Sequence, residues 1–148
     1  MKTIRIAVAI SVIFALLLSG CSNAPEKPLE AVVAYVELAS ITSGDRELVD
    51  RFVKVSANES VVSVDTNPTD MVPKTIYDIQ FLLAQKEVGE EFIDAFNEIL
   101  GVSELTKEII STKKEDGTVT KKYRDKGVKI TWCNNGTAGL EVKYEALK

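Results

Sequence analysis

The order of apolar and polar positions divides the chain into segments of different kinds. Lys2 and Arg5 precede an uncharged run from Ile6 to Leu18, which closes on the small residues Ser19 and Gly20. A basic start, an apolar stretch and a small-residue exit have the layout of a secretory signal peptide over residues 1–20. As a helix, the run from Ile6 to Leu18 would reach about 20 Å at about 1.5 Å per residue, short of a hydrocarbon core of roughly 30 Å. It is a poor transmembrane span. Polar, proline-bearing Ser22–Pro28 follows, and such a tether extends at most about 25 Å at about 3.5 Å per residue.

From Leu29 the spacing turns helical. Val32, Val33, Tyr35, Val36, Leu38, Ala39 and Ile41 make a broad apolar surface that stops at Ser43-Gly44, where glycine suits a left-handed helix end. Asp45 can cap a second helix with Leu48, Val49, Phe52 and Val53 on one stripe, so the two predict a helical hairpin. Valine-rich Ser60–Asp65 reads as a strand. Two further helical stretches are expected, one entered near Pro73 with Ile76, Ile79, Leu82 and Leu83, the other from Glu90 to Leu100 with Gly101 as its stop.

The C-terminal third predicts a β-meander, with strands near 108–114, 118–124, 128–133 and 138–145 between turns rich in Asp, Asn and Gly. Parity refines the last turn. A two-residue Asn135-Gly136 loop would set Ile130 against Glu141, mixing apolar and charged side chains on one face. A three-residue loop, Asn134-Asn135-Gly136, pairs Trp132 with Ala138, Ile130 with Leu140 and Val128 with Val142, and is the expectation. Helices followed by an antiparallel meander predict an α+β fold, with the helices packed on a curved sheet. Residues 29–148 are one domain's worth of chain, enough for a core.

Composition narrows the chemistry. Of 18 basic residues, two lie in the leader, so 16 face 22 acidic residues in the remainder, a formal charge of −6. An acidic chain is unsuited to nucleic acid. The charge is uneven, because residues 113–148 carry nine basic and five acidic side chains. Lys121, Lys122, Arg124 and Lys129 could form a basic interaction face, or could be solvated and edge-strand lysines. The chain has no histidine and two cysteines, which removes the usual zinc sets and the Ser-His-Asp and Cys-His arrangements. No metal, no cofactor and no enzymatic activity are expected. Neighbouring carboxylates such as Glu90/Glu91 suit a helix start.

Leu18-Ser19-Gly20-Cys21 resembles the lipobox of bacterial lipoproteins. The resemblance implies cleavage between Gly20 and Cys21, lipid on the Cys21 thiol, and a tether over residues 21–28. It places the protein in the cell envelope, held to a membrane by acyl chains. Ser rather than Asp at position 22 implies the outer membrane, on its periplasmic face, if the cell is Gram-negative. With Cys21 lipidated, the chain holds no second cysteine for a disulfide to Cys133, which could be a buried small hydrophobe, an intermolecular disulfide or a reactive thiol.

Pro28-Leu29-Glu30-Ala31-Val32-Val33-Ala34-Tyr35, the corner Ser43-Gly44-Asp45 and Leu48-Val49-Asp50-Arg51-Phe52 are similar to the start of the cystatin-like cone of the nuclear transport factor 2-like superfamily. That resemblance implies a pocket between a concave sheet and the helices, and Tyr35, Phe52, Phe81 and Trp132 are its candidate lining. The leading expectation is a membrane-tethered binding or accessory module for a small ligand or an envelope protein. The alternative is a pocketless inhibitor, immunity or assembly factor working through the basic meander.

Overall fold

The computed structural model describes residues 27–112, 116–123, 126–134 and 139–147. The expected signal peptide, Cys21, Arg124 and the tip of the Asn134-Asn135-Gly136 turn lie outside them. The elements are α1 (Glu30–Ser43), α2 (Arg46–Phe52), β1 (Val53–Val55), β2 (Val61–Asp65), α3 (Ile76–Ile99), α4 (Glu104–Thr112), β3 (Gly117–Tyr123), β4 (Lys126–Asn134) and β5 (Leu140–Leu147). The fold is α+β, and its five strands form one antiparallel sheet in the order β1-β2-β5-β4-β3.

Local signals explain the first two helices. Gly44, at φ 67°, ends α1 in the left-handed region, and the Asp45 side chain accepts the Leu48 amide at 2.9 Å to start α2. β1 follows α2 directly and turns back into β2, a strand beyond those expected from the sequence.

Pleating sorts the sheet into two faces. One carries cross-strand rows: Val53, Val64, Val142, Trp132 and Gly117, then Val55, Val62, Tyr144, Ile130 and Val119. Helices cover this face, packing Val32, Tyr35 and Val36 of α1, Phe92, Ile93 and Phe96 of α3, and Ile110 of α4 into the same core. The Tyr35, Phe92, Phe96 and Tyr144 rings meet mostly edge to face, with centroids 5.6 Å apart for Phe96 and Tyr144. A Cβ on Gly117 would lie 2.1 Å from the Trp132 indole, so the glycine leaves room for that ring. Ser63, Lys143 and Thr131 lie in line on the opposite, polar face, as do Cys133 and Glu141. Cys133 is half-buried there.

Three sequence expectations change. Residues 108–112 of the strand expected near 108–114 belong instead to α4, and 113–114 lie outside the described residues. Ser103 supplies the helix start by accepting the Thr106 amide, and Lys107 bridges Glu98 and Glu104 at 2.7 and 2.9 Å, so local capping outweighs the β-like Ile109-Ile110 pair. The two helical stretches flanking residues 84–89 are one helix, continuous through Gly89 and supported by the Lys86–Glu90 pair at 3.5 Å. The last turn is longer than three residues. Asn134 pairs with Leu140 and Ile130 with Tyr144, so the pairing slips by four residues while parity, and hence the choice of faces, is kept. The cause lies in β2: Thr66 donates its amide to the Leu140 carbonyl at 3.0 Å and accepts the Leu140 amide on Oγ1 at 2.8 Å, which sets the start of β5.

Candidate functional site

Thr66, at the end of β2, is where three elements meet. A Cβ on Gly89 of α3 would sit 2.8 Å from Thr66 Cα, and a Cβ on Gly139, at φ 91°, would sit 2.7 Å from Thr66 Oγ1. Only glycine permits either approach. Asn67, almost fully buried, organises the next residues: its amide bonds Asp65, its carbonyl accepts from Asp70, and its side-chain oxygen accepts from Met71. Thr69 then reaches Gln85 of α3 at 3.3 Å.

Beyond this junction α3 has lost the sheet. Its first thirteen residues, Ile76–Val88, run about 20 Å by helical rise. They start from a complete capping box, in which Thr75 Oγ1 accepts the Asp78 amide and the Asp78 carboxylate accepts the Thr75 amide at 2.8 Å. Hydrogen bonds from the Lys74 and Thr75 backbone amides hold the Asp78 carboxyl below its usual range. Along this segment Ile76, Tyr77, Ile79, Phe81 and Leu83 are exposed, as is Val72 in the loop before it. Tyr77 keeps 77% of its surface and Phe81 48%. A small groove of about 150 Å³ runs beside them, lined by Pro73, Ile79, Leu82 and Leu83 with Thr66 and Gly139.

The sheet's other end is where the described chain begins. Lys27 pairs with Glu59 at 3.4 Å, and Lys27 and Pro28 border a shallow concavity with Ser60, Ala146 and Leu147. β2 runs from this end to Asp65, next to Thr66, so the apolar segment and the N-terminal connection sit at opposite ends of a strand spanning about 16 Å.

A polar groove lies between α3 and α4, lined by Glu90, Asp94, Asn97 and Lys107 with apolar Ile93, Ile110 and Leu140. Under it, the buried Tyr144 hydroxyl donates to Asn97 Oδ1 at 3.0 Å. Desolvation raises the Asp94 carboxyl, opposed by Lys107. Glu91 is raised by desolvation and then by Glu87 and Asp94. Both carboxylates belong to exposed residues, and the groove measures about 220 Å³, below the roughly 300–1,000 Å³ of typical ligand pockets. Among the described residues there is no cluster of three or more Cys, Asp or Glu that could hold a metal, and no helix long and apolar enough to cross a membrane.

Of the four expected pocket residues, Tyr35, Phe52 and Trp132 are packed into the core whereas Phe81 stands in solvent, so the structure does not bring them together. None lines any of these grooves. The core takes the three rings because the sheet rows and helices interdigitate over them. The Tyr35 hydroxyl is buried with no partner, and burial together with nearby Glu91 pushes it up to about 12. For the expected basic face, the register sets Lys121 across from Val128, Lys122 across from Gly127, and Lys129 between Thr120 and Glu145. Positions 121 and 122 therefore belong to opposite faces of edge strand β3. The exposed start of α3 escaped the sequence reading because its apolar spacing matches that of a buried helix; Gly89 marks where the sheet ends, but only once its neighbour is known. Comparison with protein-family models, with curated proteins and with solved structures finds no match.

Proposed function

We propose that this chain is a bacterial lipoprotein, cleaved before Cys21 and held by lipid in the cell envelope, whose domain acts by binding protein through the exposed start of α3. In a Gram-negative cell the domain would occupy the periplasmic face of the outer membrane. The lipobox Leu18-Ser19-Gly20-Cys21 supports the anchor. The observation that carries the binding role is the run of exposed Ile76, Tyr77, Ile79, Phe81 and Leu83 on a capped helix that needs none of them for its own core. Contiguous apolar surface of this kind marks contact sites.

The layering of α1, α2 and the second half of α3 on one sheet face supports the reading of the domain as a cystatin-like cone of the nuclear transport factor 2-like type. Protein contact is favoured over a small ligand because Tyr35, Phe52 and Trp132 fill the place where the ligand would sit. It is favoured over enzymatic action because the raised carboxylates lie open to water.

The test is recovery of the lipidated protein from its own membranes, as wild type and with Phe81→Ser and Leu83→Ser together. A protein retained by the wild type and lost from the variant is expected. Equal recovery by both contradicts the binding surface, and a Cys21→Ala form that stays membrane-bound contradicts the anchor.

A further inference from the structure

We infer that the partner of the exposed start of α3 is a protein with an apolar cleft and a cationic rim, which closes on both flanks of the helix; the inference rests on the binding surface proposed above. The angular spread of the apolar side chains is the first reason. At about 100° per residue, exposed Ile79, Leu83, Ile76, Ala84, Tyr77 and Phe81 follow one another round the helix over about 200°, interrupted only by Gln80. The remaining arc, through Asp78, Leu82 and Gln85, backs onto residues 66–75: Gln85 meets Thr69, Leu82 borders Thr66 and Pro73, and Asp78 accepts the Lys74 and Thr75 amides. A helix laid on a flat partner buries a stripe little wider than about 100°, whereas a cleft reaches the whole open arc.

Charge fits enclosure. From Thr75 to Gln85 the one charged side chain is Asp78, and the capping box already satisfies its carboxylate. A cleft closing round this stretch therefore buries no unpaired charge. The groove of about 150 Å³ beside Ile79 and Leu83 gives one cleft wall a recess for an apolar side chain.

The rim follows from what comes next along α3. Glu87 and Glu91, one turn apart and exposed, continue the open arc at the base of the apolar stretch. Glu90 has Lys86 at 3.5 Å, whereas Glu91 stands near Glu87 and Asp94, and their repulsion adds to desolvation in raising its carboxyl. Cationic side chains at the mouth of a cleft would relieve that repulsion. The same acids argue against two other occupants. Residues 72–91 carry two lysines and four acids, a balance that repels both an anionic lipid surface and a second copy of this chain.

The test uses the full chain in living cells, with a photocrosslinking phenylalanine analogue in place of Phe81 or, separately, of Leu83. Both positions are exposed and lie about 160° apart round the helix, so neither substitution touches the core. Both should capture the same protein, distinct from this chain. Glu87→Gln together with Glu91→Gln, which removes like charges and leaves the helix intact, should lower both yields about two- to five-fold. Capture from one flank only, of different proteins from the two, or of a second copy overturns the cleft-bearing partner while leaving the contact surface standing. Capture of lipid alone, or of nothing from either flank, overturns both. Undiminished yields in the glutamine variant overturn the cationic rim.

Discussion

The two halves of α3 contain similar residues in different surroundings. Ile76–Val88 offers Ile, Tyr, Phe and Leu to solvent, whereas Gly89–Ile99 sinks Phe92, Ile93 and Phe96 against the sheet and α1. Nothing in their apolar spacing separates them. What differs is the neighbour: β2 ends at Asp65, and Thr66 crosses α3 at Gly89, so the first half extends past the edge of the layer it would otherwise cover. Amphipathic pattern specifies a helix with an apolar face; the reach of the opposing sheet decides whether that face becomes core or contact surface.

The largest expected difference comes from truncating one ring in each half. Phe96→Ala empties a site among Tyr35, Phe92 and Tyr144 and should cost about 3–5 kcal/mol in urea unfolding. Phe81→Ala should stay within about 0.5 kcal/mol. Similar costs would erase the distinction between the halves.

Gly89→Ala tests the boundary itself. Alanine would gain about 1 kcal/mol of helix propensity in an open helix, but here its methyl meets the Thr66 backbone at 2.8 Å. A net loss of about 1–2 kcal/mol is expected from the forced shift, read by thermal or urea unfolding. A stabilised variant would mean that α3 and β2 do not cross so closely.

Two buried tyrosines sharpen the core side. Tyr144→Phe removes the donor to Asn97, leaves that amide oxygen unpaired, and should cost about 1–3 kcal/mol. Tyr35→Phe removes a hydroxyl that has no partner and should be neutral or slightly stabilising. Unfolding curves of both variants, compared with the wild type, check the order.

Acid should produce the smallest and most local effect. The Asp78 carboxyl is held below its ordinary value by the Lys74 and Thr75 amides, so its contribution is fully present above the ordinary carboxylate range and is lost as pH falls through the lowered value. The protection factors of the Thr75–Ile79 amides, corrected for the slower intrinsic exchange in acid, should therefore fall on acidification before those of Phe92–Phe96 do. Simultaneous loss would mean that the capping box does not hold the exposed half separately.

Much of the fold was legible because it is written in local chemistry. Gly44 and Asp45 mark the α1–α2 corner, and the parity of Val128, Ile130 and Trp132 assigns the inner face of β4. The exact pairing of β5 was not legible, since Thr66, far away in sequence, sets it through Leu140. Residues 108–112 were misread for a related reason: adjacent isoleucines suit either a strand or a helix, and Ser103 with the Lys107 ion pairs decides between them. The pocket implied by the cone resemblance grouped Tyr35, Phe52, Phe81 and Trp132 together, but only packing separates the three that build the core from the one left outside.

Hydrogen exchange along α3 tests the division of labour most directly, comparing the lipid-held form proposed above, in its own membranes, with the same protein dispersed in detergent at low concentration. Protection of residues 76–88 in the membrane, lost on dispersal while residues 89–99 stay unchanged, is the predicted result. Equal exchange of residues 76–88 in both conditions would contradict a contact surface at the start of α3.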